Sequence, residues 1–273
     1  MNIHINEDTR SLKTITYTKD LVIVGGGLSG TCAAITAARQ GLKVVLIQDR
    51  PVLGGNASSE VRLWALGATS QMGNNNRWAR EGGVIDEIVV ENLHRNPEGN
   101  PVIFDAVLLD KVFAEKNITL LLDTFVFQID QDRNSKNIKT ATAYCSQNAT
   151  MYKVEAPLFC DASGDGILGY LAGADYRVGA EGKDEFNEPL APDDFYGELL
   201  GHTIYFYSKD TGVPVDYVAP DFALKDISQI PRANRIKASD SGCSFWWLEY
   251  GGRMDTVHES QDIKKELWKV TYG

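Results

Sequence analysis

Six consecutive residues near the start of the chain have the types and spacing of a phosphate-binding turn. Residues 25–30 read GGGLSG, a GxGxxG pattern in which the first glycine permits a tight turn, the second lets the backbone approach a pyrophosphate and the third lets a helix pack on a strand. The free N–H groups and the positive dipole end of that helix attract anions. The pattern therefore predicts a dinucleotide-binding turn. Its contacts are expected from Gly25, Gly27, Leu28, Ser29 and Gly30.

The residues that should meet a ribose of the dinucleotide lie about 20 positions further along the chain. Gln48 stands where an acid usually ends the second strand, and its amide oxygen can accept a hydrogen bond from a ribose hydroxyl without charge assistance. Asp49 can take over that role or face the solvent. Arg50 supports an alternative, because a cation at this place can accommodate the 2′-phosphate of NADP.

A second glycine pair follows in a loop that reads PVLGGNASS over residues 51–59. Bare backbone followed by amide and hydroxyl side chains suits a longer ligand with pyrophosphate and ribityl groups, and the alternative is an ordinary glycine loop. The contacts expected from this loop come from Gly54, Gly55 and Asn56.

The elements that must position these residues form a strand–helix–strand unit, with strands over residues 21–25 and 43–47 and a helix over residues 28–40. Continuous apolar runs are typical of parallel strands buried on both faces, and such a unit has a right-handed crossover. Beyond it the pattern predicts helices over 78–95 and 101–116, strands over 118–122 and 125–129, a β-meander of 140–145, 151–154 and 158–160, a helix over 167–172, β-like runs over 203–207 and 244–250, and a helix over 259–270.

Composition narrows the classes of function. The 273 residues carry 27 Lys and Arg against 37 Asp and Glu, a net charge of −10. Binding to nucleic acid or to an anionic membrane needs a basic face, so we expect neither as the main partner. The N-terminus lacks an apolar secretory core and no stretch is apolar enough to span a bilayer, so we expect a cytoplasmic protein. The cysteines are too widely spaced for a local disulfide or a metal cluster, and no metal site is expected. They are Cys32, Cys145, Cys160 and Cys243.

Three segments together resemble a known family. They read LVIVGGGLSGTCAA over 21–34, VVLIQDRPVLGGNASSEVR over 44–62 and FCDASGDGILGYLAGADYRVG over 159–179. In order and spacing they are similar to the FAD-dependent oxidoreductases of the glutathione-reductase-like FAD/NAD(P)-binding superfold. Within that group the chain resembles proteins related to heterodisulfide reductase A.

The resemblance implies the fold class, which is α/β. A Rossmann-like FAD-binding domain with a parallel sheet, helices and a β-meander is expected over residues 1–180, including a leader at 1–19. A partial, β-rich substrate domain is expected over residues 181–273.

The resemblance also implies roles for individual residues, with FAD as the cofactor. The turn at residues 25–30 would hold the pyrophosphate, Gln48–Arg50 would border the adenosine ribose, and the backbone of the strand Thr124–Val126, including Val126, would meet the adenine edge. A third glycine segment, which corresponds to the second glycine turn of the family, would return to the cofactor. It consists of Ser163, Gly164, Asp165 and Gly166.

Two departures from the family pattern limit what the resemblance implies. Relatives that bind iron–sulfur clusters use closely spaced cysteines, which this sequence lacks, so we expect no cluster. Family members usually return to the FAD domain with an Arg-rich and Gly-Asp segment near the flavin, and no such segment follows residues 268–273.

Candidates for catalysis are few. Arg62 can anchor an anionic substrate or the flavin pyrimidine edge, or it can form a structural salt bridge. His202 can exchange a proton with a substrate, or it can be structural. The aromatic run at 244–250 can line a sugar or polyol pocket or pack a sheet, and Asn74–Asn76 can form a lid or a solvated loop.

The leading hypothesis is an FAD-dependent oxidoreductase that transfers hydride between flavin and an unidentified small molecule, with carbohydrates and polyols as one candidate class and an unknown electron acceptor. The first alternative is an NAD(P)-dependent dehydrogenase, because of Gln48 and Arg50. The second is a nucleotide-binding module without turnover, because of the absent return segment.

Overall fold

The computed structural model describes residues 12–65, 81–230, 233–237, 239–242 and 248–273. The chain divides into two compact units, one ending at Asp175 and the other beginning at Tyr176. The assignment of residues 1–180 and 181–273 to a cofactor domain and a substrate domain stays a prediction.

Eight strands and four helices build the described part of the first unit. The strands are β1 (Lys13–Thr18), β2 (Leu21–Val24), β3 (Val44–Ile47), β4 (Ile118–Leu121), β5 (Thr124–Gln131), β6 (Ile138–Cys145), β7 (Thr150–Glu155) and β8 (Leu158–Asp161). The helices are α1 (Leu28–Arg39), α2 (Val84–Arg95), α3 (Pro101–Phe113) and α4 (Ile167–Leu171).

A parallel sheet in the order β4-β3-β2-β8 forms the centre of this unit and confirms the α/β fold class. Successive side chains of a strand point to opposite faces, and the strands β2 and β3 are apolar on both. Val22 and Ile47 join a buried cluster shared with the second sheet. Ile23 and Leu46 join a buried cluster shared with the helices. The continuous apolar runs therefore correspond to strands covered on both faces.

The second sheet has the order β1-β7-β6-β5. Strands β5, β6 and β7 are antiparallel neighbours, as predicted for a meander, whereas β1 pairs in parallel with β7. The predicted leader at 1–19 therefore contains a strand, whose Ile15 and Tyr17 pack against the buried cluster between the sheets.

The prediction that residues 158–160 form a third meander strand is wrong. Strand β8 lies in the parallel sheet, where Leu158 is paired with Leu21 and Asp161 with Val24. A parallel neighbour allows β8 to end at the same sheet edge as β2, which an antiparallel meander strand would not do.

Two helix boundaries have local causes. The helix α3 begins at a proline, and the side chain of Asn100 accepts a hydrogen bond from the backbone N–H of Val102 at 2.9 Å. Proline suits the first helical turn because its missing N–H has no helical partner there. The helix α2 begins at Val84, since Gly83 has a φ of 78°, outside the right-handed helical region. Residues 81–83 of the predicted span 78–95 are therefore not helical, and residues 78–80 lie outside the described residues.

The second unit has less regular structure among its described residues. Its helices are α5 (Lys183–Phe186) and α6 (Ser260–Tyr272). The predicted β-like run over residues 203–207 is flanked by single bridges, His202 to Tyr250 and Ser208 to Gly242, and forms no ladder. Most of the run over 244–250 lies outside the described residues.

In the part of the chain that the structure describes, no helix is long and apolar enough to cross a membrane.

Candidate functional site

The carboxyl ends of the parallel strands meet at one edge, where ligands bind in open α/β sheets. The segment that follows each strand stays bonded to its neighbour. The backbone N–H of Gly25 donates to Ile47 O at 2.8 Å, and that of Ala162 donates to Val24 O at 2.7 Å. The turn after β2 and the turn after β8 therefore lie side by side.

The first glycine turn needs its glycines for distinct reasons. Gly25 has a φ of 104°, and a Cβ there would lie 2.2 Å from the carbonyl oxygen of Ala162. A Cβ on Gly30 would lie 1.8 Å from the carbonyl oxygen of Gly25. Both positions therefore require glycine for close packing of the turn, as the GxGxxG pattern predicts for the outer glycines.

Gly27 differs from the other two, because a Cβ added to it would have no atom within 4 Å. It precedes α1 without a side-chain cap, and the first N–H groups of a helix have no partner inside it. The N–H groups of Leu28 and Ser29 belong to this first turn, and Ser29 is exposed. The helix start thus presents open backbone suited to an anion.

The second glycine pair is bonded to the first turn. The backbone N–H of Gly54 donates to Gly26 O at 2.8 Å, and Gly54 forms a parallel bridge with Gly27. A Cβ on Gly55 would lie 3.2 Å from the Cα of Gly27. The structure therefore brings together the two glycine segments of the prediction, with Asn56 exposed beside them.

The third glycine segment is held by the carboxylate at the end of β8. Oδ1 of Asp161 accepts hydrogen bonds from the N–H and Oγ of Ser163 at 3.1 and 2.7 Å, and Oδ2 accepts one from Gly169 N at 2.9 Å. Burial alone would raise the pKa of Asp161, but the hydrogen bonds from Gly169 and Ser163 outweigh it and lower the pKa overall. The carboxylate therefore stays charged and fixes the turn.

Within that turn, Gly164 and Gly166 have φ values of 83° and 69°, and a Cβ on either would meet nothing within 4 Å. Asp165 between them is exposed. Like Gly27, the two glycines present uncovered backbone, so each of the three segments contributes to the same sheet edge.

Gln48 is buried at that edge, with 4% of the residue exposed. Its Oε1 accepts a hydrogen bond from Gly26 N at 2.7 Å, and its Nε2 donates one to Val52 O at 3.2 Å. The amide thus joins the first glycine turn to the start of the second loop. A carboxylate could accept the first bond but could not donate the second, which accounts for an amide where the pattern usually has an acid.

The two residues after Gln48 are exposed. The guanidinium of Arg50 donates through Nε and Nη2 to the two carboxylate oxygens of Glu60, at 2.8 and 2.7 Å. The sequence prediction had no partner for Arg50, although an acid ten positions further along the same loop was a visible signal.

Asp105 is a site residue that the sequence analysis missed. It is 9% exposed, and its Oδ1 accepts a hydrogen bond from the backbone N–H of Ser59 at 2.9 Å, which anchors the second glycine loop to α3. The signal was available, because Asp105 lies on the same helix face as the buried Leu108 and Val112.

The predicted adenine contact involves Val126, which is 2% exposed. It pairs with Ala143 on β6, and β5 is the last strand of its sheet in the described chain. One backbone edge of β5 is therefore not bonded to a neighbouring strand. A role at the adenine edge stays a prediction.

The two catalytic candidates lie in different units. Arg62 has a left-handed backbone, with a φ of 67°, and its Nε donates to Ser59 O at 2.9 Å. His202 belongs to the second unit, where it exchanges backbone hydrogen bonds with Tyr250 at 2.8 and 3.0 Å. Asn74–Asn76 and the aromatic residues 245–247 lie outside the described residues.

The thiols and acids of the described residues form no group of three or more that could hold a metal ion. Cys32, Cys145 and Cys160 are free. Burial raises the pKa of the Cys32 thiol, and burial followed by the charge of Asp161 raises that of Cys160. Both thiols are therefore protonated at neutral pH, which disfavours a role as nucleophiles.

A family model described as FAD dependent oxidoreductase matches residues 20–272. NADH:acrylate oxidoreductase of Vibrio harveyi is 50% identical over 46 residues, which are 17% of this chain and 5% of that protein. Fumarate reductase (cytochrome) of Shewanella frigidimarina is 55% identical over 40 residues, 15% of this chain and 7% of that protein. These matches thus span under a tenth of either relative.

Solved structures also resemble the chain. L-proline dehydrogenase from P. horikoshii is similar with a TM-score of 0.34 and 18% sequence identity. The match covers 57% of this chain and 25% of the chain of that enzyme. The flavin-dependent monooxygenase PieE, solved with FAD and substrate, is similar with a TM-score of 0.38 and 16% sequence identity. The match covers 61% of this chain and 34% of the PieE chain.

Proposed function

The chain belongs to the FAD dependent oxidoreductase family, and we propose that its first unit binds FAD at the sheet edge where the three glycine segments meet. The observation that carries this proposal is the uncovered backbone at Gly27, Gly164 and Gly166, beside the start of α1. Bare backbone at a helix start suits a pyrophosphate, which needs N–H donors and close approach.

The residues present fit the adenosine and pyrophosphate parts of FAD. The N–H groups of Leu28, Ser29 and Gly30 would hold phosphate oxygens, and Gly55 would pass beside them. Gln48 supports the turn from below through its bond to Gly26 at 2.7 Å. These groups bind and orient the cofactor without changing charge.

When bound, the flavin would supply the capacity to exchange a pair of electrons with a substrate. The contribution of this chain is to place the cofactor. A small molecule, with carbohydrates or polyols as one class, is the proposed substrate. Arg62 in the first unit and His202 in the second are separate candidates for a group that orients it, each proposed independently of the other. The electron acceptor, the cytoplasmic location and a kinship to heterodisulfide reductase A stay predictions.

An NAD(P)-dependent dehydrogenase is less well supported by the geometry. The NADP hypothesis needs the cation of Arg50, and both Nε and Nη2 of that residue are bound to Glu60. A nicotinamide dinucleotide site also needs only the first glycine turn, whereas this chain has a second and a third glycine segment.

The test is an FAD titration of the purified full chain, followed by flavin absorbance and fluorescence. Gly27→Ala is the informative variant, because Gly27 has φ −61° and open space at its Cβ position. The protein should therefore fold unchanged, while the new methyl covers the proposed pyrophosphate surface. We expect the FAD dissociation constant to rise by at least about tenfold, the loss of one charge-assisted hydrogen bond.

Gly197→Ala is the matched control, since its Cβ would also meet nothing within 4 Å and it lies in the second unit. It should leave FAD binding unchanged. A folded wild-type chain that takes up no FAD, or a Gly27→Ala variant with wild-type affinity, would contradict the proposal. Titration with NADPH in parallel separates the dehydrogenase alternative, and FAD that no donor reduces would favour a binding module without turnover.

A further inference from the structure

An ion pair lies next to the proposed adenosine end of the site. The carboxylate of Glu60 takes both Nε and Nη2 of Arg50, at 2.8 and 2.7 Å. The side chain of Glu60 is 28% exposed and that of Arg50 58%. A fork-to-fork pair of this kind is stronger and more directional than a single contact. Arg50 is therefore not free to bind another anion with the same two donors.

The loop fixes the position of Glu60. Its backbone N–H donates to Ser58 Oγ at 3.3 Å, and the next residue but one, Arg62, donates its N–H to Ser58 O at 2.7 Å. Ser59 is in turn bonded to the buried Asp105 at 2.9 Å. Glu60 is thus presented to Arg50 by a loop that is anchored to the core of the unit.

The charge around Arg50 is predominantly negative. Glu60 pairs with it directly, and the charges of Asp49 and Asp123 act on it as well. The backbone N–H of Asp123 donates to Arg50 O at 3.2 Å, which keeps the two residues adjacent. The guanidinium is therefore hydrogen-bonded to one carboxylate and lies in the field of two more.

A cation at this place in a dinucleotide fold accommodates a 2′-phosphate on the adenosine ribose. That function needs free guanidinium donors, because Arg recognises phosphate through its planar fork. Here Glu60 takes two of the five N–H donors of Arg50, and a 2′-phosphate at the remaining donors would be repelled by Glu60 and by the charges of Asp49 and Asp123. A 2′-hydroxyl carries no charge and meets no such repulsion.

We propose that Glu60 is a specificity residue, which occupies Arg50 and so excludes dinucleotides with a 2′-phosphate while admitting those with a free 2′-hydroxyl. The inference rests on the proposed function, because it assumes that the adenosine of the ligand lies at the end of β3. It assigns to Glu60 a selective role that acts through Arg50.

The test compares two nucleotides that differ only in the phosphate in question, ADP and 2′-phospho-ADP. Each is used to displace FAD from the purified chain, and the ratio of their inhibition constants is the readout. The wild-type chain should prefer ADP. Glu60→Gln keeps the shape of the side chain but removes its charge and one of the two acceptor oxygens that Arg50 uses. The relative affinity for 2′-phospho-ADP should therefore rise about tenfold, the equivalent of one hydrogen bond to a charged group.

Two further variants guard against a structural effect. The double variant Arg50→Ala with Glu60→Gln should lose the gain, because the freed cation is no longer present. Glu115→Gln removes an acid from another arginine pair, that of Arg39, and should leave the ratio unchanged.

The outcomes separate the two proposals. If the wild-type chain does not bind FAD, the proposed function fails. If FAD binds and the wild type already accepts 2′-phospho-ADP as well as ADP, the specificity inference alone is overturned. It is overturned in the same way if Glu60→Gln leaves the ratio unchanged, if the double variant keeps the gain, or if neither nucleotide displaces FAD from any variant.

Discussion

The unit that ends at Asp175 and the unit that begins at Tyr176 bury their apolar residues to very different extents. In the first, all of β3 and the last three residues of β2 are buried. In the second, Leu190, Leu200 and Val218 are 98%, 83% and 91% exposed. Apolar residues buried in the described part of the second unit are Ala223, Leu248, Ile263 and Leu267.

This difference follows from regular structure. Strands in a sheet satisfy their backbone groups and can be covered on both faces, which buries every side chain. Single bridges such as His202 to Tyr250 satisfy few backbone groups and align few side chains. The proposed cofactor site lies in the well-packed unit, where the parallel sheet holds its backbone in place.

The largest expected effect is on stability, when a buried leucine of the first unit and an exposed leucine of the second are each truncated to alanine. Leu46→Ala removes a side chain with 0% exposure from the centre of the parallel sheet, and such a truncation costs about 2–5 kcal/mol. Leu200→Ala, at 83% exposure, should change the free energy of unfolding by less than about 0.5 kcal/mol. Urea denaturation of both variants measures the difference, and equal costs would refute the contrast.

A smaller effect is expected from Gln48→Glu. The substitution removes the bond that Nε2 donates to Val52 O at 3.2 Å and places a carboxyl in a buried site. The unfolding free energy should fall by about 1–3 kcal/mol, the cost of a buried group without its partner. The matched change in the second unit, Gln261→Glu on an exposed position of α6, should be close to neutral. A neutral Gln48→Glu would show that the amide is not needed for the turn.

The smallest effect concerns charges on the helical face of the first unit. Hydrogen bonds from Arg39 and then from Lys111 lower the pKa of Glu87 from 4.5 to about 2. A lowered pKa in the folded state stabilises the protein above the unfolded pKa, and that contribution disappears as the pH falls from about 4.5 towards 2. The Glu87 side chain is 38% exposed, so the contribution should stay below about 1 kcal/mol.

The check is the difference in unfolding free energy between wild type and Glu87→Gln as a function of pH. The difference should shrink as the pH is lowered through this range and should also shrink in high salt, which screens exposed pairs. A difference that grows on acidification would have the wrong sign for an ion pair.

Local patterns made part of the molecule predictable. The turn at 25–30, the strands β2 and β3 and the helix α1 could be predicted because each depends on residues close together in sequence. The glycines at 54, 55, 164 and 166 were recognised in the same way. The return of residues 163–166 to the cofactor was implied by the family resemblance, whereas their place at the same sheet edge depends on the parallel pairing of β8 with β2, which the sequence did not predict.

Features that depend on distant residues could not be predicted with the same ease. The pairing of β1 with β7 joins Lys13 to Thr150, which are far apart in the sequence. The place of β8 beside β2 likewise joins residues that are far apart, Leu158 and Leu21. The hydrogen bonds from Gln48 to Val52 and from Arg50 to Glu60 depend on side-chain geometry inside a loop. A ribose contact by Gln48 and a phosphate contact by Arg50 both assumed side chains without partners in the protein.

Hydrogen–deuterium exchange of the purified chain with and without FAD tests most directly whether the three glycine segments form one cofactor site. FAD should slow exchange at backbone amides of residues 27–30, 54–56 and 163–166. At an FAD concentration near the wild-type dissociation constant, Gly27→Ala should reduce the protection in all three segments together. Protection confined to one segment, or to residues after Tyr176, would contradict a single FAD site at this sheet edge.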